Sequence, residues 1–121
     1  RQFSFKVNDE FDLIKVANYP NPVRSKTIDP VNANRTRFTY SLTDDADEVK
    51  IKVFTVSGRL VKTFRNLPTA VGYHEYPRTV YAWDCTDDTG VALANGVYFY
   101  KVIAKKGSKE IIKNGKLAII R

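Results

Sequence analysis

Val49-Lys50-Ile51-Lys52-Val53-Phe54-Thr55-Val56-Ser57-Gly58-Arg59-Leu60-Val61-Lys62-Thr63-Phe64 is the stretch that decides the fold. Val49, Ile51 and Val53 alternate with Lys50 and Lys52, a period of two that gives a strand one buried face and one solvated face. Val56-Ser57-Gly58-Arg59 then turns tightly, Gly58 accepting the positive φ that the turn requires, and delivers the chain into a second strand over Leu60 to Phe64.

The same grammar extends in both directions. Phe11 to Val16 reads as a first strand, stopped by Tyr19-Pro20-Asn21-Pro22, and Arg24 to Asn34 as a polar loop. Arg35 to Leu42 alternates Phe38, Tyr40 and Leu42 against Arg37, Thr39 and Ser41. Asn66 to Gly72 is expected to be a loop, Tyr76 to Trp83 a strand interrupted or started afresh at Pro77, and Asp84 to Gly96 a long turn region. Val97 to Ala104 is strongly β-prone, Lys105-Lys106-Gly107-Ser108 is a hairpin turn, and Lys109 to Ile120 is the closing strand. No window of helical length carries an apolar period of 3.6 residues, so the fold class is all-β, an immunoglobulin-like sandwich of about seven antiparallel strands. Residues 1–121 are read as one domain, with 1–17 as its leading strand or linker. Trp83, Tyr98, Val102, Ile51 and Val53 are expected to form the core between the sheets.

Composition narrows the function. A hydrophobic share of 43% and a charged share of 27% suit an ordinary globular domain, and no apolar run is long enough to span a bilayer, so no membrane insertion is expected. Arg1-Gln2-Phe3 has neither an initiating Met nor a signal-peptide core, which makes position 1 a processing or fragment boundary. One cysteine, Cys85, leaves no internal disulfide and no multi-cysteine zinc site. The net charge of +7 gathers at the C-terminal end, where seven basic residues from Lys101 to Arg121 face Glu110 alone. No helix-turn-helix, zinc-finger or RNA-recognition pattern surrounds them, so nucleic acid is not the expected partner; lysines guarding a strand edge account for the charge.

Candidate chemistry is sparse. Cys85 and His74 are the one conceivable thiolate–imidazole pair, but Cys85 shares strand parity with Trp83 and is expected to be a buried, inert thiol. Asp84, Asp87 and Asp88, with Asp44, Asp45 or Asp47, are the calcium candidates; their spacing is not that of an EF-hand loop, and Asp is an ordinary turn former. Tyr73, Tyr76 and Tyr81 are the surface aromatics available to stack on a sugar. Asn34-Arg35-Thr36 satisfies the glycosylation triplet. No catalytic residue, metal or cofactor is expected.

Five motifs in order resemble the FlgD-like Ig-like domain, shared by flagellar hook-capping proteins and the C-terminal regions of type IX secretion cargo. Asn18-Tyr19-Pro20-Asn21-Pro22 is similar to the family's opening Y-P-N-P, and Val53 to Val61 to its hairpin. Trp83-Asp84 with Asp87 and Gly90 resembles its W-D-G-x-D-x-x-G turn, Asn95 to Lys101 its G-V-Y-x-Y strand, and Lys113 to Arg121 its basic-then-apolar ending. The hairpin and the ending most resemble C-terminal domains of gingipain-type cysteine peptidases and their sortase relatives. The chain departs from the pattern at Val23, where Phe is usual, at Cys85, where W-D-G has Gly, and in extra residues at Arg24–Asn34 and Pro77–Ala82.

The resemblance implies a non-catalytic secretion and sorting module of a larger exported protein, reaching the outside or the cell surface through the periplasm. Its partners would be the secretion or surface-anchoring machinery and a neighbouring domain of the same polypeptide. The alternative is a structural spacer or an adhesive, carbohydrate-binding domain beside a peptidase. In the last strand, apolar residues fall on odd and even positions alike, interrupted by Lys113, Gly115, Asn114 and Lys116. A bulge near Asn114-Gly115 is the expected cause, leaving Lys113, Lys116, Leu117, Ile119, Ile120 and Arg121 as the partner-binding residues, through strand addition at the sheet edge.

Overall fold

The computed structural model describes residues 10–121; of the expected leading segment 1–17, residues 1–9 lie outside the described part. Seven strands follow in order: β1 Leu13–Tyr19, β2 Arg37–Leu42, β3 Glu48–Thr55, β4 Leu60–Phe64, β5 Gly72–Tyr76, β6 Gly96–Lys106 and β7 Lys109–Ile119. A short 3-10 turn, Pro30–Asn32, interrupts the loop after β1. The strands form two antiparallel sheets, ordered β1-β2-β5 and β4-β3-β6-β7. This is the immunoglobulin-like sandwich expected from the alternation.

Both inner faces are apolar because each strand presents every second side chain to the other sheet. Phe38, Tyr40, Val49, Ile51, Val53, Tyr100, Val102 and Leu117 are all buried. Trp83 is 5% exposed and closes one end of this layer. Its ring stacks on Phe38 at 5.8 Å and meets Phe64 edge-on at 5.2 Å, while Nε1 donates to the Thr86 carbonyl at 3.1 Å. Tyr98, also buried, donates its hydroxyl to the Ala94 carbonyl four residues upstream at 2.7 Å.

Two expected elements are corrected. The strand placed at Tyr76 to Trp83 is instead β5, Gly72–Tyr76, which ends where Tyr76-Pro77 begins. Proline has no N–H for a ladder, and Trp83 reaches the sheet only through an isolated bridge with Thr36. The bulge expected in the last strand is absent as well: β6 and β7 stay in register from Lys106↔Lys109 to Gly96↔Ile119. Register shifts lie instead in β1, between Ile14 and Ala17, and in the β3–β4 pairing, between Val53 and Phe54.

Gly115 explains why β7 misleads. It sits opposite Tyr100, and a Cβ built on it would lie 2.1 Å from Cζ of that ring. The odd positions Ile111, Gly115, Leu117 and Ile119 therefore face inward, Gly115 supplying the space that the Tyr100 ring fills from the neighbouring strand, while Lys113 is exposed beside β1. Burial pushes the Tyr100 hydroxyl up to about 12, so the ring stays neutral in its slot.

Gly115→Ala is expected to destabilise the domain by about 1–3 kcal/mol, because Tyr100 is enclosed and cannot yield; urea melts of the two proteins check this. Trp83→Ala should cost about 3–5 kcal/mol, most of the stability of a small domain, and is read by the same melts.

Candidate functional site

The end of β7 is where charge, exposure and structural closure meet. The segment after β1 returns along the outer edge of this strand. Asn21 donates from Nδ2 to the Lys116 carbonyl at 2.9 Å and accepts on Oδ1 from the Ala118 N–H at 3.1 Å. Val23 then pairs in parallel, its N–H donating to the Ala118 carbonyl at 2.7 Å and its carbonyl accepting from Ile120 N–H at 2.8 Å. Asn18, 9% exposed, gathers the other ends: its Oδ1 accepts from the Tyr100 hydroxyl at 3.2 Å, and its Nδ2 donates to Thr36 Oγ1 at 3.1 Å. Thr36 in turn donates to the Pro20 carbonyl at 2.8 Å. The Tyr19-Pro20 and Asn21-Pro22 peptide bonds are both cis.

The six expected partner-binding residues separate into two groups. Leu117 and Ile119 are buried and belong to the core, so they cannot touch a partner of the folded domain. Lys113, Lys116, Ile120 and Arg121 are exposed, but not on one face: Lys113 borders a groove beside Leu13 to Val16 of β1, Lys116 points out of the opposite face, and Arg121 lies past the strand. The edge at Lys116–Ile120 is already paired by Asn21 and Val23. Strand addition over this part of β7 is thereby closed, which corrects the expected mode.

The calcium candidates serve turns. Asp87 Oδ1 accepts from Thr89 Oγ1 at 2.7 Å and from the Val91 N–H at 2.9 Å, and the Thr89 hydroxyl leads the contacts that hold its carboxyl below the ordinary range. Asp84 accepts from Thr86. Asp88 covers the free edge of β4, its N–H donating to the Val61 carbonyl and its Oδ1 accepting from Thr63 N–H, with Lys62 at 3.7 Å. Among the described residues no group of three His, Cys, Asp or Glu side chains is placed to hold a metal ion.

Cys85 is fully buried, and desolvation pushes its thiol up to about 12. It takes a left-handed φ of 58°, the conformation a glycine would supply at this point of the turn. His74 is engaged elsewhere, with Nε2 2.6 Å from the Ala70 carbonyl and its ring 5.4 Å from that of Tyr40. Of the surface tyrosines, Tyr76 is withdrawn: its ring packs edge-on against Phe64 at 5.7 Å. Tyr81 is exposed under the Arg35 guanidinium at 5.1 Å. Tyr73 lines a groove of about 480 Å³ on the outer face of the three-stranded sheet, together with Tyr19, which the sequence reading passed over as part of a proline motif. Thr36 of the glycosylation triplet is fully buried.

The fold is similar to part of the dimeric latent PorU from Porphyromonas gingivalis, with a TM-score of 0.65 and 21% identity over 92% of this chain and 9% of that one. PorZ, an essential bacterial surface component of the type IX secretion system of the same organism, aligns with a TM-score of 0.49 and 23% identity, over 88% of this chain and 11% of its own. The chain thus spans about a tenth of either protein. No curated protein matches it in sequence. The FlgD Ig-like domain family matches residues 25–108, from the loop after the opening motif to the β6–β7 turn, and the chain belongs to that family.

Proposed function

We propose that the domain is a non-catalytic C-terminal sorting module of a larger exported bacterial protein, recognised by type IX secretion or surface-anchoring machinery. The observation that carries this reading is the state of the last strand. Its apolar inward side chains are locked into the sandwich, while Lys113, Lys116, Ile120 and Arg121 remain on the surface as a basic-and-apolar terminus. Such an end can be read without unfolding the domain. The five family motifs in order support the same role and, with it, a location outside the cytoplasm, secreted or at the cell surface by way of the periplasm. Its neighbour in the polypeptide would carry any peptidase chemistry.

A spacer or adhesive domain is the second reading, favoured by the groove that Tyr19 and Tyr73 line with Arg37, Thr39, Glu75 and Asn32. Exposed rings beside hydrogen-bonding groups suit a saccharide. Arg37, however, already donates to the carbonyls of Pro77, Thr79 and Val80, so much of its bonding capacity holds a loop.

Deleting Lys116–Arg121 would remove buried Leu117 and Ile119 and so confuse sorting with stability, at roughly 2–5 kcal/mol for each side chain. Reversing charge is cleaner. Lys113→Glu, Lys116→Glu and Arg121→Glu together are expected to leave the melting temperature within a few degrees and to block export of a fused reporter in a bacterium with type IX secretion. Normal export of the folded variant would transfer the assignment to the spacer reading. The non-catalytic assignment has its own check: Cys85 should resist a thiol reagent at neutral pH until the domain is unfolded, since its thiolate is scarce and enclosed.

A further inference from the structure

The two outer faces of the sandwich are composed differently. On the three-stranded sheet the outward positions intersperse Ile14, Tyr19 and Tyr73 with Arg37, Thr39, Ser41 and Glu75, so that polar groups separate the apolar ones. On the four-stranded sheet one row of cross-strand neighbours runs Leu60–Phe54–Phe99–Lys116 from β4 to β7. The next row is Val97–Ala118, with Ile120 beyond it. Leu60 is 44%, Val97 41%, Phe99 40% and Ile120 48% exposed. These side chains adjoin one another across the ladder, and an apolar patch of this kind marks an interaction site.

Lysines are set into the patch. Lys52 pairs with Lys101 in the row beside Phe54–Phe99, and the Lys101 ammonium lies 5.6 Å from the Phe54 ring centre. Lys116 ends the aromatic row. Glu48 and Glu110 share the same face only at its far end, in a row with Lys105.

We propose that this face of the four-stranded sheet docks on an acidic protein surface that carries apolar side chains between its carboxylates. Charge complementarity selects that occupant. A second copy would stack lysine on lysine in a domain whose net charge is already +7. A lipid bilayer would draw Lys52 and Lys101 toward the hydrocarbon with the adjacent rings of Phe54 and Phe99, and burying unpaired ammoniums is costly. Carboxylates facing Lys52, Lys101 and Lys116 neutralise them while Phe54, Phe99, Leu60 and Val97 lose water. The inference goes beyond the sorting role and does not rest on it, since a spacer would seat against a neighbour by the same face.

The test titrates the folded domain with two short synthetic peptides, one alternating Glu with Leu and Phe, the other carrying Lys in place of Glu. Amide NMR shifts locate binding, and fluorescence anisotropy measures it. The acidic peptide is expected to move the resonances of Phe54, Val97, Phe99 and Ala118, to bind more weakly as salt rises, and to lose about tenfold or more in affinity with Phe99→Ser. The double variant Lys52→Glu, Lys101→Glu should lose as much while retaining every apolar side chain, and it decides the matter if Phe99→Ser folds poorly. The basic peptide should move nothing. The proposal is overturned if the acidic peptide leaves the spectrum unmoved, shifts residues around Tyr19 and Tyr73 instead, or binds both variants undiminished. It also falls if sedimentation shows these residues pairing two copies of the domain, or if phosphatidylglycerol vesicles retain the wild type and release Phe99→Ser.

Discussion

The side-chain amide of Asn21 closes the sandwich. Its Nδ2 and Oδ1 engage the Lys116 carbonyl and the Ala118 N–H, the same donor and acceptor pair that a residue of an added strand would offer. One carboxamide thus stands in for a backbone step, and Val23 continues the pairing with its own N–H and carbonyl. The alternative is an edge strand with unpaired polar groups, each costing about 1–3 kcal/mol where water is excluded. Asn18 depends on the same closure. Its Oδ1 receives both the Tyr100 hydroxyl and the Asn21 amide, so β1, β6 and the segment that pairs with β7 meet at a single acceptor. Tyr100 reaches that acceptor only because Gly115 leaves the passage open.

These dependences explain which parts of the fold were legible. β3 and β6 are written in local alternation, each strand carrying its own inward and outward residues, and a period of two suffices to find them, while β4 follows from the tight turn at Ser57-Gly58. β7 fails that test because Gly115 answers to Tyr100 on another strand, and no window along the chain contains both. The stretch Tyr76 to Trp83 misled for a related reason. Trp83 looks like a strand residue by composition, yet it is held by one bridge to Thr36 and by aromatic packing on Phe38 and Phe64. Within the candidate site, the exposed lysines of β7 could be named from sequence. That Leu117 and Ile119 turn inward could not, since their parity becomes clear only once Gly115 is understood as an inward position.

Both edges of the four-stranded sheet carry cover. Asp88 caps β4 by donating to Val61 and accepting from Thr63, and the Asn21–Val23 segment caps the end of β7. A sheet so protected presents its flat face more readily than its edges, which directs attention to side chains rather than backbone as the means of recognition. The aspartates read from sequence as calcium ligands have their explanation here. Asp87 shapes the turn that brings Asp88 to β4, and the carboxylates are consumed by N–H and hydroxyl groups of Thr63, Thr86, Thr89 and Val91.

The family match stops short of two stretches, the opening Asn18 to Val23 and the whole of β7, and these two are bonded to each other. Their pairing runs largely through backbone groups and one carboxamide, so it sets few demands on side-chain identity away from Asn21. Val23 illustrates the point. It stands where the family usually has Phe, and its side chain is fully buried, yet its contribution to β7 is made by N–H and carbonyl. Cys85 departs from the family's glycine in the opposite sense: there the backbone conformation is fixed at a φ of 58°, and the side chain is accepted because it enters the core. A small residue in a left-handed turn and an apolar residue on a paired edge are both substitutions that the surrounding geometry absorbs. Lys116 of β7 is under neither constraint: its side chain is exposed beside Phe99 on the outer face, while its carbonyl takes part in the pairing with Asn21.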